Sequence, residues 1–474
     1  MLQNIIMSLA LLLTGLTQGY SQYNPKFTGT WEGKLNVGVE LRLVFHIEPD
    51  GKGGYNSTAD SPDQSAYGIP CSNTSVKGDA LKIEMNSLSA EFSGLMTNDS
   101  TIDGIFTQGR EFPLQLKKVE KVSERKRPQT PQPPFPYKTE EIEYSNKSKS
   151  LSFGATLTIP NGKGPYPSAI LITGSGPQNR DEELFGHKPF AVLADHLTRN
   201  GYLVLRADDR GTGKSTGKFN SATSADFTDD VIAALDYLAT RPEVNRKKMG
   251  LIGHSEGGMI APIVASRRKD IDFIVLLAAP GIKTIDLMTE QNEAILESAG
   301  MSDSAVKVYS PLYRHMINQV LQSRDTIAAT VALKNSLDQW VDSTDPRFVN
   351  ELGLTLAESR ESMAKGISEA MSLPWFKYFL AFDPAPYLQK LSAKVLAING
   401  DKDLQVISKS NLAGIETALK KSKSKIHATK EMNGLNHLFQ TCKKCNLEEY
   451  GQLEETISPL ALQTITDWLN SHVK

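Results

Sequence analysis

Residues 249–266 read MGLIGHSEGGMIAPIVAS and contain the most informative turn of the chain. The apolar residues 249–253 predict a buried strand, and residues 257–267 predict a helix whose first side chains are small. Between them the pentapeptide GHSEG matches the pattern G-x-S-x-G. In this pattern a tight strand-to-helix turn exposes a serine hydroxyl at the edge of a sheet. The segment therefore predicts that Ser255 is a catalytic nucleophile.

The catalytic domain around this turn is predicted to occupy residues 139–474. Its predicted strands alternate with predicted helices, which indicates an α/β fold with a mostly parallel central sheet and helices on both faces. The predicted strands are 168–173, 202–207, 249–253, 273–279, 394–399 and 424–429. At about 284–387 the alternation gives way to amphipathic helices alone, which predict a helical cap over the active-site edge of the sheet.

The residues before position 139 have a different pattern. Residues 23–120 contain short predicted strands between Gly, Asn, Asp and Ser clusters, which predicts a small antiparallel β domain, either a sandwich or an open barrel. Residues 121–138 include RPQTPQPPFP and are predicted to be a Pro-rich linker. Residues 1–22 contain an apolar run that is shorter than a bilayer span and predict a signal peptide, with export to the periplasm or the cell exterior.

The composition restricts the partners that we expect. A net charge of −2 gives no electrostatic reason to expect a nucleic acid. We expect a small-molecule ester as the substrate, no cofactor, no bound metal, and no membrane span after removal of the signal peptide. The sequence is compatible with a homo-oligomer and does not fix the oligomeric state.

A serine nucleophile needs a histidine base, and the base needs a carboxylate that orients it. In folds with this serine turn the chain order is Ser, then Asp or Glu, then His. Asp403 follows the predicted strand 394–399 and is favoured over Asp401 in the same loop. His437 lies in the loop after the predicted strand 424–429 and is the candidate base.

Acyl transfer also needs N–H donors that stabilise a tetrahedral oxyanion. The backbone N–H of Glu256, the residue after the nucleophile, is one predicted donor. The second is expected from the glycine-rich loop after the predicted strand 168–173, with Ser175 as the first candidate and Gly176 as the second.

Two other motifs are ambiguous in the sequence. Residues 208–215, DDRGTGKS, imitate the end of a phosphate-binding loop, but Asp208 stands where that motif requires its leading glycine. We therefore expect a structural loop and no nucleotide there.

Cys442 and Cys445 form a CxxC without the second ligand pair of a zinc site, so a local disulfide and two free thiols both remain open.

Six motifs spread over residues 139–474 are similar to those of one enzyme group: GSGPQNRDE (174–182), DDRGTGKSTG (208–217), GHSEGG (253–258), FDPAPYLQKL (382–391), NGDKDLQV (399–406) and GLNHLFQ (434–440). Together they resemble secreted or periplasmic bacterial α/β-hydrolases, carboxylesterases of the serine-aminopeptidase-like kind, which also have a small β domain at the N-terminus. The resemblance implies the same three catalytic residues, Ser255, Asp403 and His437. Thr173 is a departure, because many α/β-hydrolases have a histidine before the oxyanion glycine.

The sequence supports three hypotheses about function. The first is a serine carboxylesterase that hydrolyses short-chain acyl esters through an acyl-enzyme intermediate. The second is a serine exopeptidase, for which an acid such as Glu256 would have to hold the free amino group of the substrate. The third is a binding protein whose hydrolase domain is inactive. The natural substrate and the role of the β domain are open in all three.

Overall fold

A computed structural model describes residues 24–37, 40–64, 66–123 and 125–474. The chain forms two compact units, which divide between residues 124 and 125. The predicted signal peptide at 1–22 lies outside the described residues. Within the part of the chain that is described, no helix has the length and apolar character needed to cross a membrane.

The first unit is an all-β domain, as the sequence predicts. Its strands are β1 (Gly29–Asn36), β2 (Glu40–Pro49), β3 (Tyr55–Ser61), β4 (Ala66–Pro70), β5 (Asn73–Lys77), β6 (Ala80–Met85), β7 (Ala90–Asn98), β8 (Thr101–Gln108) and β9 (Arg110–Val119). They form one antiparallel sheet in the order β4-β3-β2-β1-β9-β8-β7-β6-β5. The alternating buried residues of this single sheet, among them Trp31, Phe45 and Phe92, share one core. One sheet around one core is the open-barrel form of the prediction and not a sandwich of two sheets.

The second unit contains a mixed sheet of eight strands in the order β10-β11-β13-β12-β14-β15-β16-β17. The strands are β10 (Lys138–Ser145), β11 (Ser152–Ile159), β12 (Tyr166–Ile172), β13 (Leu203–Ala207), β14 (Val244–His254), β15 (Phe273–Leu277), β16 (Lys394–Gly400) and β17 (His427–Met432). The six strands β12 to β17 are parallel to one another. At one edge, β11 runs antiparallel to β13, and β10 runs antiparallel to β11. The predicted α/β fold with a mostly parallel sheet is confirmed.

The helices of this unit are α1 (Pro189–Arg199), α2 (Ser224–Leu238), α3 (Glu256–Arg267), α4 (Thr284–Ser298), α5 (Asp303–Gln322), α6 (Thr326–Ser343), α7 (Pro346–Glu351), α8 (Ala357–Met371), α9 (Pro374–Leu380), α10 (Ala385–Leu388), α11 (Ser408–Leu419) and α12 (Pro459–His472). One face of the sheet packs against α2, α3 and α11, and the other face packs against α1 and α12. Because both faces are covered, the central strand β15 is apolar and buried at every residue.

Helices α4 to α9 form the cap, which is inserted between β15 and β16. The cap has its own core, to which Met316 on α5, Leu333 on α6 and Ala364 on α8 contribute fully buried side chains. The predicted helical cap is confirmed. The cap begins after β15, at the carboxyl edge of the parallel strands, where Ser255 also lies. After the cap, α10 leads the chain back to the amino end of β16.

One strand lies later in the chain than its pattern predicts. The last strand is His427–Met432, three residues after the predicted start at 424. Ser424 belongs to the preceding turn, in which its hydroxyl donates to the carbonyl of Ile426. The shift places Met432 next to Gly400 at the end of β16, so the loops that follow the two strands start side by side.

Candidate active site

Ser255 lies between the end of β14 and the first residue of α3, with φ 51° and ψ −115°. A non-glycine residue rarely adopts this region of φ and ψ, and the surrounding packing must hold it there. The flanking glycines make this possible. A Cβ atom at Gly253 would lie 2.1 Å from the carbonyl oxygen of Gly257, and one at Gly257 would lie 2.1 Å from the carbonyl oxygen of Ile172. The two glycines therefore allow the backbone approach that exposes the serine.

His437 and Asp403 are in direct contact. Nδ1 of His437 lies 2.8 Å from Oδ2 of Asp403, and both side chains are almost completely buried. The second oxygen of Asp403 accepts hydrogen bonds from the backbone N–H groups of Gln405 and Val406, at 2.7 and 2.9 Å. A carboxylate held in this way fixes the proton of the imidazole on Nδ1, which leaves Nε2 as a proton acceptor.

Asp401, the rival acid, has another partner. Its Oδ1 accepts a hydrogen bond of 2.6 Å from the backbone N–H of Gly434, at the start of the loop that carries His437. Asp401 therefore anchors this loop, and Asp403 is the acid that contacts the histidine.

Ser255 and His437 line the same cavity of about 260 Å³. Among the residues that the structure describes, none is hydrogen-bonded to the hydroxyl of Ser255. Serine–histidine hydrogen bonds of this kind often tighten only when a substrate is bound. The structure thus brings the three predicted residues to one place through the Asp403–His437 contact and the shared cavity.

The predicted oxyanion donors lie on both sides of Ser255. The backbone N–H of Glu256 opens α3, where the helix dipole favours negative charge. Gly174 is packed against the nucleophile, since a Cβ atom there would lie 3.3 Å from Cβ of Ser255, and Ser175 and Gly176 follow it. Within the described chain, no acceptor is hydrogen-bonded to the backbone N–H of Ser175, Gly176 or Glu256.

Asp209 anchors the loop that carries Ser175 and Gly176. Its Oδ1 accepts a hydrogen bond from the hydroxyl of Thr173 and its Oδ2 accepts one from the backbone N–H of Gln178, at 2.8 and 2.9 Å. Burial raises the pKa of Asp209 to about 8. The threonine that departs from the family pattern is therefore one of the residues that tie the loop to β13.

The loop at 208–215 has the structural role that we expected. Asp208 accepts hydrogen bonds from Nε and Nη2 of Arg180, at 3.0 and 2.6 Å, and from the backbone N–H of Lys214. Its carboxylate oxygens thus occupy the centre of the glycine turn. A Cβ atom at Gly213 would lie 2.4 Å from Oδ2 of Asp208, so the turn closes on the acid.

The side chain of Glu256 connects three parts of the molecule. Oε1 accepts hydrogen bonds from the hydroxyl of Ser224 on α2 and from Nε1 of Trp375 on α9, at 2.6 and 2.7 Å. The Ser175 side chain also acts to lower the pKa of this carboxylate. Burial raises the pKa of Glu256 to about 7, although Ser224, Trp375 and Ser175 all act to lower it. The residue after the nucleophile thus connects the cap to α2.

Sequence reasoning missed Glu182, and it gave His254 only the packing or orienting role that is usual beside a nucleophile. Nδ1 of His254 lies 2.9 Å from Oε1 of Glu182, and its Nε2 lies 3.1 Å from the backbone oxygen of His437. Oε1 of Glu182 also accepts a hydrogen bond of 2.6 Å from the backbone N–H of Gly174. Glu182 stands 72 positions before His254, and no local pattern indicates the contact.

The wall of the cavity is mainly apolar. The cap contributes aromatic and aliphatic side chains, and the loops after β15 and β16 contribute further apolar residues. These include Pro280, Leu287, Met288, Trp375, Phe376 and Phe379. Among the described residues of this wall, Glu182 is the only carboxylate and none is Lys or Arg.

The CxxC pair lies in the loop that follows His437. Cys442 and Cys445 are joined by a disulfide, which resolves the alternative that the sequence left open. Oε2 of Glu449 accepts hydrogen bonds from the backbone N–H groups of Lys443, Lys444 and Cys445. The two sulfur atoms and a Glu449 oxygen lie within 4.8 Å of one another, but sulfurs bonded to each other are not thiolate ligands.

Residues 188–355 match the family model described as serine aminopeptidase, S33. Over 148 residues the chain is 32% identical to Esterase EstD of Thermotoga maritima, a match that covers 31% of this chain and 35% of that protein. Over 155 residues it is 28% identical to acyl-coenzyme A thioesterase 3 of Mus musculus, a match that covers 32% of each. The chain thus spans about a third of the length of these two curated relatives.

Among solved structures, the chain is similar to an esterase of Pyrococcus furiosus, with a TM-score of 0.44 and 14% identity over 71% of this chain and 92% of that one. The family match contains Ser255 and most of the cap, whereas Asp403 and His437 lie after its end at residue 355. The residues that match the family model contain the serine turn and three strands of the mixed sheet, β13, β14 and β15. The chain therefore has the α/β-hydrolase fold, and its residues 188–355 are similar to the serine aminopeptidase family.

Proposed function

We propose that the protein is a serine carboxylesterase that hydrolyses small, neutral acyl esters. The observation that carries the proposal is the Asp403–His437 hydrogen bond in the cavity that Ser255 lines. A buried carboxylate, an imidazole with one free nitrogen and a strained, partly exposed serine are the three groups that acyl transfer requires.

In the proposed first half-reaction, Oγ of Ser255 attacks the ester carbonyl carbon while Nε2 of His437 takes the hydroxyl proton. Asp403 stabilises the imidazolium that forms. The oxyanion accepts hydrogen bonds from the backbone N–H of Glu256 and from that of Ser175 or Gly176. When the intermediate collapses, the C–O bond of the ester breaks and the alcohol leaves with the proton from His437.

In the second half-reaction, water attacks the acyl-enzyme and gives a proton to Nε2 of His437. The second tetrahedral intermediate collapses, the carboxylic acid leaves, and the proton returns to Ser255. The atoms balance with water as the only co-reactant, so this reaction uses no metal and no organic cofactor.

The shape and the polarity of the cavity support short substrates. Its volume of about 260 Å³ is below the range of roughly 300–1,000 Å³ that is typical for drug-sized ligands. An apolar wall without Lys or Arg suits an uncharged acyl group. The curated relatives named as an esterase and a thioesterase support cleavage of an acyl ester or thioester bond.

The exopeptidase alternative requires an acid that is free to hold a substrate ammonium group. Glu256 does not suit this role, because its carboxylate is buried and accepts hydrogen bonds from Ser224 and Trp375. Glu182 lines the cavity but is paired with His254. These engaged carboxylates favour the ester over the free-amine substrate.

The test is a comparison of purified wild-type protein with Ser255→Ala on p-nitrophenyl acetate, butyrate and octanoate and on alanine and proline anilides. We expect ester turnover that is lost in Ser255→Ala, with the highest kcat/KM on acetate or butyrate. Anilide turnover at comparable efficiency would make the protein a peptidase. Failure of Ser255 to react with a fluorophosphonate probe would favour the inactive binding protein.

Export is the second part of the proposal. The apolar run at 1–22 supports it, and so does the Cys442–Cys445 disulfide, because disulfides persist in oxidising compartments. Fractionation of cells that produce the full chain tests this. Protein found only in the cytoplasm with its first 22 residues intact would contradict export.

A further inference from the structure

Glu182 and His254 form a second buried carboxylate–imidazole pair beside His437. Glu182 is 5% exposed and His254 is 7% exposed. The pair has two ends: Oε1 of Glu182 accepts from the backbone N–H of Gly174, and Nε2 of His254 is hydrogen-bonded to the backbone carbonyl of His437. It therefore joins the loop of the proposed oxyanion donors to the loop of the proposed base.

The geometry fixes the protonation of His254. A carbonyl oxygen can only accept, so Nε2 must carry a proton. Oε1 of Glu182 already accepts from Gly174, and an imidazole is ordinarily more basic than a carboxylate, so Nδ1 carries the proton that is shared with Glu182. His254 is thus an imidazolium with both N–H groups engaged, and it has no lone pair with which to act as a second base.

The surrounding charges agree with this protonation. Burial opposes a charge on His254, but Glu182, the carbonyl of His437 and Asp403 together outweigh it, and the pKa of His254 rises above its usual value. Asp403 acts in the same direction as Glu182. A further titratable neighbour is the ring of His437, whose centroid lies 4.9 Å from that of His254.

We infer that Glu182 and His254 are positioning residues, which clamp the carbonyl of His437 and the amide of Gly174 at one fixed separation. This inference rests on the proposed function, since it assigns the clamp to the same site. Acyl transfer needs the base and the oxyanion donors in place together, and a displacement of ~1 Å can reduce the rate about 10²-fold. The clamp holds the two loops at this separation through two hydrogen-bonded backbone groups and one buried ion pair.

The kinetic test uses Glu182→Gln, which keeps the shape and removes the charge, and His254→Gln, which removes the imidazolium. With p-nitrophenyl acetate, we expect kcat to fall by about 10- to 100-fold while KM changes less than about threefold. The matched control is His196→Gln, because His196 is a partly buried histidine on α1 that hydrogen-bonds Thr466 away from the site. This control should lower the unfolding temperature and leave kcat unchanged.

Unchanged kcat in folded Glu182→Gln and His254→Gln would overturn the inference. A second measurement uses only the wild-type protein with ¹⁵N-labelled histidine. At pH 7 both ring nitrogens of His254 should carry protons, and an unprotonated ring nitrogen would overturn the clamp. This spectrum does not depend on turnover. If the wild-type protein shows the doubly protonated His254 but no esterase activity, the proposed function is contradicted and the clamp is not.

Discussion

Nε1 of Trp375, in the cap, donates a hydrogen bond of 2.7 Å to Oε1 of Glu256, the residue that follows Ser255. The two residues are 119 positions apart in the chain. The indole of Trp375 also stacks on Phe379, with ring centroids 5.6 Å apart. The bond therefore sets the position of an aromatic wall of the cavity relative to the nucleophile.

This contact predicts that Trp375 limits the length of the acyl chain. Trp375→Ala removes an indole that lines the cavity, so longer chains should fit. We expect the ratio of kcat/KM for p-nitrophenyl octanoate to that for butyrate to rise by about tenfold or more. The control is Trp340→Ala, because Trp340 is another cap tryptophan and its Nε1 bonds Val308 outside this cavity. The same ratio in both variants would contradict a role of Trp375 in chain length.

The two acids of the loop after β16 should differ sharply in their effect on catalysis. Asp403→Asn removes the carboxylate that fixes the His437 tautomer, so kcat/KM on p-nitrophenyl acetate should fall by about 10⁴-fold. Asp401→Asn keeps an oxygen for the Gly434 N–H and should cost less than about tenfold. Equal losses in the two variants would contradict the assignment of Asp403 as the acid.

Asp209 should make the stability of the protein depend on pH. Its pKa is raised from 3.8 to about 8 in the folded state, mainly by burial. Between these two values the folded protein holds a proton that the unfolded chain releases, so this group's contribution to the free energy of unfolding falls as the pH rises. Asp209→Asn removes this contribution.

The measurement for Asp209 is the unfolding temperature at pH 5 and at pH 8. The drop between the two should be larger in the wild type than in Asp209→Asn, by on the order of 5 °C. The comparison uses the drop and not the absolute temperature, because the asparagine amide cannot accept from both Thr173 and Gln178. A drop of the same size in both proteins would show that the Asp209 carboxyl releases its proton well below pH 8.

Two glycine-to-alanine changes should have opposite effects on stability. A Cβ atom at Gly257 would lie 2.1 Å from the backbone oxygen of Ile172, so Gly257→Ala should disrupt the serine turn and abolish activity. Gly366 lies on the exposed side of α8 with open space around it, so Gly366→Ala should stabilise the protein by roughly 0.5–1 kcal/mol. Urea unfolding and p-nitrophenyl acetate turnover measure both effects. An active, stable Gly257→Ala protein would be inconsistent with the close approach described.

The fold was predictable because its patterns are local. The MGLIG strand, the GHSEG turn and the small residues of α3 are contiguous in the sequence, and the helical insertion shows as a long stretch without strands. Ser255, Asp403 and His437 were predictable for a related reason. Each follows a strand of the sheet, and the carboxyl ends of parallel strands meet at one edge.

The edge strands were less predictable. The antiparallel pair β10 and β11 precedes the alternating pattern, and β10 alternates polar and half-buried residues because only one side of it is covered. The last strand, β17, is half exposed for the same reason, so its apolar residues do not mark its start at His427.

The contacts that hold the site could not be read from the sequence. Glu182 meets His254 across 72 positions, Trp375 meets Glu256 across 119, and Gly434 meets Asp401 across 33. A buried carboxylate is stable only where the folded chain supplies donors to it, and those donors come from elements that are distant in sequence. The sequence therefore specified the strands, the serine turn and the candidate base and acid. The partners of the buried acids were set by tertiary packing, because that packing brings their donors within hydrogen-bond distance.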